Sequence, residues 1–161
     1  MRYTNTPEAA PVPNKKQLYD LCRAVVQQRV ETARHAMTAA QESANEEGKS
    51  SAGDKYETGR AMAQIERDRH AHLLTDALTM AQDLARINVD KSYATVLPGS
   101  VVTTDRGVFF ISIGAGKLLT DTGTAVFAVS PASPIAVALA GKTTGDRVTF
   151  NKLTYALLTV D

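Results

Sequence analysis

The chain has no tryptophan, one cysteine among 161 residues, and only 6% aromatic residues. A lone cysteine, Cys22, excludes an internal disulfide, and its place on an apolar helical stripe gives it the role of a small buried hydrophobe. No run approaches the roughly 20 apolar residues that a membrane-spanning helix needs. The first 13 residues lack the apolar core of a secretory leader, so the expectation is a soluble, cytoplasmic protein without membrane contact. Charge of one sign is also missing: 18 basic residues face 17 acidic ones, for a net +1. Such a balance excludes a footprint built for bulk duplex nucleic acid and leaves any polymer partner to local patches. The few aromatics, Phe109, Phe110, Phe127, Phe150 and Tyr155, read as filling a small core.

What is present falls into two parts. Pro11 and Pro13 precede Asn14, whose side chain can cap the free amides of a helix while Gln17 reaches back to it. An apolar stripe then runs Leu18, Cys22, Val26, Val30, Ala33, Met37, Ala40 and Ala44, in helical steps of three and four. Gly48 stops it. A second helix is expected over 54–88, with Met62, Ile65, Leu73, Ala77, Met80, Leu84 and Ile87 on its stripe and Arg69 interrupting it. The intervening 48–53 loop permits only an antiparallel return, so the two stripes are expected to face each other as a two-stranded coiled coil. Its seam shrinks toward the loop, where Ala40, Ala44 and Gly59 predict a slim tip. Arg23, Arg29, Arg34, Arg67 and Arg69 on the arms read as solvated or as partner contacts.

From Ser100 the pattern changes to short β-rich runs, expected at 101–104, 108–113, 117–119, 124–129, 147–150 and 153–160. Asp105-Arg106-Gly107, Gly114-Ala115-Gly116, Asp121-Thr122-Gly123 and Asn151-Lys152 supply turns. One short helix begins with Ser133 as cap and Pro134 at its first position and ends before Gly141. The fold class is therefore α+β. The segments expected are an N-terminal stretch 1–13, a coiled-coil hairpin 14–90, a linker 91–99 with Pro98-Gly99 as hinge, and a small β-rich domain 100–161.

Ser130-Pro131-Ala132-Ser133-Pro134-Ile135, Ala138-Leu139, Gly141-Lys142 and Gly145-Asp146-Arg147-Val148, behind a long hairpin, resemble the C-terminal domain of Gre-type transcript cleavage factors. The resemblance covers about 14–161. It implies an FKBP-like C-terminal domain that docks at the rim of the bacterial RNA polymerase secondary channel, with Ser130, Pro131, Ser133 and Pro134 as docking candidates. It further implies a hairpin whose tip enters the channel and touches RNA. Tip carboxylates of that family help the polymerase hold a second Mg²⁺ and a hydrolytic water, so the factor assists the polymerase's own RNA cleavage and is no enzyme by itself.

Hard Mg²⁺ takes few carboxylates plus water, which makes Glu46, Glu47, Asp54 and Glu57 the tip candidates. The family's two acids lie three residues apart before an aromatic residue. With Tyr56 as that aromatic, the corresponding positions are Ser50 and Gly53. Asp54 and Glu57 have a second reading as an Asp-x-x-Glu helix start. Glu46 and Glu47 sit at the electrostatically unfavourable end of the first arm, and Lys49, Lys55 and Arg60 make the tip mixed in charge. His70 and His72 lie two apart on one helix and cannot form a helical metal pair.

Other classes stay open beside this one: a coiled-coil adaptor that self-associates through its arms, an FKBP-like binding module or prolyl isomerase, or acyl transfer through Cys22. A 3-oxoacyl-ACP synthase is implausible, because condensing enzymes need a far larger fold.

Overall fold

The computed structural model describes residues 13–47 and 53–161, and of residues 47 and 53–56 the backbone alone. Two α-helices, α1 (Lys15–Glu47) and α2 (Gly53–Ala85), precede β1 (Val101–Thr104), β2 (Gly107–Ile111), β3 (Gly116–Leu119), β4 (Ala125–Val129), α3 (Pro134–Leu139), β5 (Arg147–Phe150) and β6 (Leu153–Val160). The fold is α+β. Each long helix has 33 residues, a rod of roughly 50 Å at 1.5 Å per residue.

α1 starts where the sequence places its cap. Asn14 Oδ1 accepts from the amides of Lys16 at 2.9 Å and Gln17 at 3.3 Å. These would otherwise be orphan donors of the first turn. Ser133 stands at the N-cap of α3 without a side-chain cap bond, contrary to expectation. Its hydroxyl turns back to donate to the Ser130 carbonyl at 2.7 Å, and its own amide bonds the same oxygen at 3.0 Å. The Ser130–Ser133 turn is thereby closed twice, and Pro134 enters the helix where no amide is missed.

The six strands form one mixed sheet in the order β3-β4-β2-β1-β6-β5. β2 and β4 pair in parallel, Phe109 beside Phe127 and Phe110 beside Ala128, and the remaining pairs are antiparallel. Because side chains alternate along a strand, neighbouring Phe109 and Phe110 serve opposite faces. Phe110 belongs to a core with Val101, Ile113, Leu118 and Val126 of the sheet and Leu18, Cys22, Val26 and Leu84 of the hairpin. Phe109 belongs to a second core with Val96, Val102, Ile111 and Leu157, closed by Ala136 and Leu139 of α3.

The first of these cores changes the reading of the hairpin. Leu18, Cys22 and Val26 pack on the sheet and not merely against the other arm. Beyond Ala33 on α1, and before Ala77 on α2, no described side chain is fully buried. The half-buried residues of α2 in this outer part are Gly59, Ala63, Arg67, His70, Ala71 and Leu74. Met62, Ile65 and Leu73 are 64%, 66% and 50% exposed, so the expected stripe meets the seam only from Ala77 inward. Arg67, read as solvated, donates across the seam to Gln41 Oε1 at 3.0 Å.

The segment joining hairpin and sheet is sewn down at both ends. The Val96 amide donates to the Lys142 carbonyl at 2.8 Å, and the Gly99 amide donates to the Ile111 carbonyl at 2.7 Å. Ser100, fully buried, donates its hydroxyl to the Leu97 carbonyl at 2.6 Å and accepts from the Leu97 amide at 3.1 Å. Gly99 holds φ +99°, the left-handed region that favours glycine, with the Tyr93 ring laid over it.

Candidate functional site

The residues singled out from the sequence separate to two ends of the molecule. At the outer end, Glu46 lies exposed in the last turn of α1 and Glu57 lies exposed in the first turns of α2. Glu47 closes α1 and Asp54 opens α2, and their side chains lie outside the described residues, as do Lys49, Ser50 and the 48–52 connection. α1 has no basic residue in its last turn, where the helix dipole disfavours an acid such as Glu46. Among the described residues, no group of three His, Cys, Asp or Glu is placed to hold a metal ion. His70 Nε2 approaches Glu66 Oε2 at 3.5 Å, and His35 and His72 are exposed.

At the inner end, Ser130 and Pro131 line a cleft of about 500 Å³ between the base of α2 and the sheet. Met80 and Asp83 of α2, with Arg86 and Ile87 just past its end, form one wall, and Pro98, Ser112, Ile113 and Gly114 form the other. Arg86 and Asp83 pair at 3.7 Å on its rim, both largely exposed. Pro131 and Pro134 are exposed, and Ser130 and Ser133 half-buried through the doubly bonded turn. This is a rigid apolar edge with a charged rim.

One arginine clamps the inner end. Arg29 Nη1 donates to the Gly114 carbonyl at 3.3 Å and contacts Met80 Sδ at 3.3 Å, tying α1 to α2 and to the loop after β2. Its position beside Val26 and Val30 in sequence gave no sign of this role, since the Gly114 carbonyl comes from a distant part of the chain. Lys15 adds a second clamp. Its side chain, 7% exposed, donates to the Lys91 carbonyl at 2.6 Å and lies 3.8 Å from Asp161 Oδ1 and 4.9 Å from the Tyr93 ring centroid. Burial lowers the Lys15 pKa, and the Asp161 charge opposes that shift.

Cys22 is fully buried, with Sγ 3.9 Å from Ser112 Oγ. Burial pushes its thiol up to about 11, the Ser112 contact working weakly the other way. A thiol so placed is protonated at neutral pH and is no nucleophile, which removes acyl transfer through Cys22.

No helix among the described residues is long and apolar enough to cross a membrane. Compared with models of known protein families and with curated proteins, the chain matches none.

Proposed function

We propose that the chain is a Gre-like factor that binds bacterial RNA polymerase in the cytoplasm and extends its hairpin into the secondary channel, where the tip modulates elongation and meets RNA. The supporting observation is the hairpin itself. Two 33-residue arms are fixed to the sheet only at their base, through Leu18, Cys22, Val26 and Leu84. Arg29 stiffens that base. An arm held at one end by a packed core, and with no buried residue among those described toward the other, is suited to reach into a narrow space. Ser130 and Pro131, with α3 behind them, supply the docking edge in this reading.

The chemistry at the tip follows from hard-ion coordination. One or two tip carboxylates, from among Glu46, Glu47, Asp54 and Glu57, would help hold a Mg²⁺ shared with the polymerase, which would supply charge stabilisation for RNA hydrolysis. The chain brings no cofactor of its own to this step, and the bond cleaved is cleaved by the polymerase.

The test is RNA cleavage in stalled, backtracked complexes of the cognate polymerase, with binding measured alongside. Mg²⁺-dependent shortening that is lost in Glu46→Ala or Glu57→Ala establishes a cleavage factor. Binding without shortening establishes a channel-occupying regulator. Absence of binding to core polymerase overturns the proposal.

A further inference from the structure

From Met62 to Leu73, α2 carries an apolar row that stays largely exposed in the hairpin. At about 100° per residue, Met62, Ile65, Arg69, Leu73 and Asp76 fall within a stripe about 80° wide, turned roughly 130° from half-buried Ala63, Arg67, His70 and Leu74, and the stripe ends inward at Met80, which is half-buried at the base against Arg29. Met62, Ile65 and Leu73 are the most exposed large apolar side chains of either arm. Beside Leu73 and Asp76 runs a groove of about 580 Å³, whose α1 wall is Gln28, Thr32, Ala33 and Ala36, without charge except for Arg29 at its inner end. The other side of α1 carries the charges, Glu31, Arg34 and Glu42. A helix with one used and one unused apolar stripe is what a bundle of more than two helices requires.

The charges on the stripe say which helix fits. Asp76 lines the groove and forms no ion pair among the described residues, and Arg69 reaches Glu66 only at 4.0 Å. They are seven positions apart, close to two turns, so they stand one above the other on the same stripe. An antiparallel copy of α2, related by a two-fold axis midway between residues 72 and 73, sets Arg69 of each copy opposite Asp76 of the other. The same register sets Ile65 opposite Met80 and Leu73 opposite His72, over roughly 33 Å of helix from Met62 to Asp83. Both ion pairs and both Ile65–Met80 approaches come from a single symmetric arrangement, as an isologous interface demands.

We infer that this face of the hairpin is a homodimer interface, in which two hairpins pack through α2 into a four-helix arrangement held by reciprocal Arg69–Asp76 pairs. It rests on the hairpin surface alone and is independent of the polymerase reading.

Sedimentation velocity and light scattering on the full chain, from low to high micromolar concentration, test this directly. The expected result is a concentration-dependent dimer that Leu73→Glu abolishes, with circular dichroism unchanged because Leu73 is already half exposed. Arg69→Asp or Asp76→Arg alone sets like charges opposite each other and weakens the dimer tenfold or more. The two single variants mixed together, or the two changes combined in one chain, restore it. A chain that stays monomeric at every concentration overturns the inference. So does a dimer indifferent to these changes, or a monomer whose Leu73→Glu variant loses a complex with polymerase, which would assign the face to that partner.

Discussion

The Cys22 thiol of α1 and the Ser112 hydroxyl just past β2 lie 3.9 Å apart across the interface between hairpin and sheet, ninety positions apart in the chain. The sole cysteine is thereby a reporter of whether the hairpin base is seated. Thiol labelling of the native chain should be slower by orders of magnitude than that of the denatured chain, and should accelerate with urea along the unfolding transition. Rapid labelling under native conditions would mean that the hairpin lifts off the sheet.

The same thiol sets an alkaline limit. Its pKa rises from 9.0 to about 11 in the folded chain, so between these values the folded state holds a proton that the unfolded state has lost. Stability present below pH 9 is therefore lost as pH climbs to 11, by an amount on the order of 2–3 kcal/mol at most. Urea titrations at pH 8 and pH 10.5 should show the loss in the wild type and a smaller one in Cys22→Ala.

Lys15 titrates with the opposite sign. Burial lowers its pKa below the ordinary 10.5, so in the window just below that value the unfolded chain binds the extra proton and stability rises with pH. Lys15→Met keeps the stem against Tyr93 and removes this rise, which should make the alkaline loss of stability steeper than in the wild type. Parallel profiles for the two proteins would show that the ammonium is solvated in the folded state.

Gly99 admits little else. A Cβ there would stand 3.0 Å from Tyr93 Oη on a backbone at φ +99°. Gly99→Ala should cost about 1–3 kcal/mol, read as a fall in thermal midpoint. Adding Tyr93→Phe removes the nearest atom and should recover part of the loss, while the backbone strain remains.

The β5–β6 turn stores a smaller strain. Asn151 and Lys152 hold φ of 49° and 64°, the geometry of a tight two-residue hairpin turn, in which lysine is the less suited of the pair. Lys152→Gly should stabilise the chain by roughly 0.5–1 kcal/mol in urea denaturation, and Asn151→Ala should destabilise it by a similar amount.

The sequence by itself determined the elements. Hydrophobic period, the Asn14 cap, Pro134, and the glycine-bearing turns are local signals, and each acts within a few residues of where it is read. They placed both helices, all six strands and α3 within a few residues of their observed ends. Three things lay beyond local reading. The outer apolar residues of α2 share a helical period with its inner ones, but period alone cannot tell a seam from a second exposed stripe. Only the rotation of α2 against α1, fixed by Ala77 and Leu84 packing at the base, turned Met62, Ile65 and Leu73 outward. Cys22 was legible as buried, but not as buried against Ser112, because alternation along β2 decides which strand residues meet the helix only once the sheet has a face toward it. Arg29 looked like any solvated arginine until the fold carried the Gly114 carbonyl to within 3.3 Å of it. Helices and strands are chosen by neighbours in sequence. Seams, clefts and clamps are chosen by which faces must be hidden from water together, and that is settled only when the whole chain has closed.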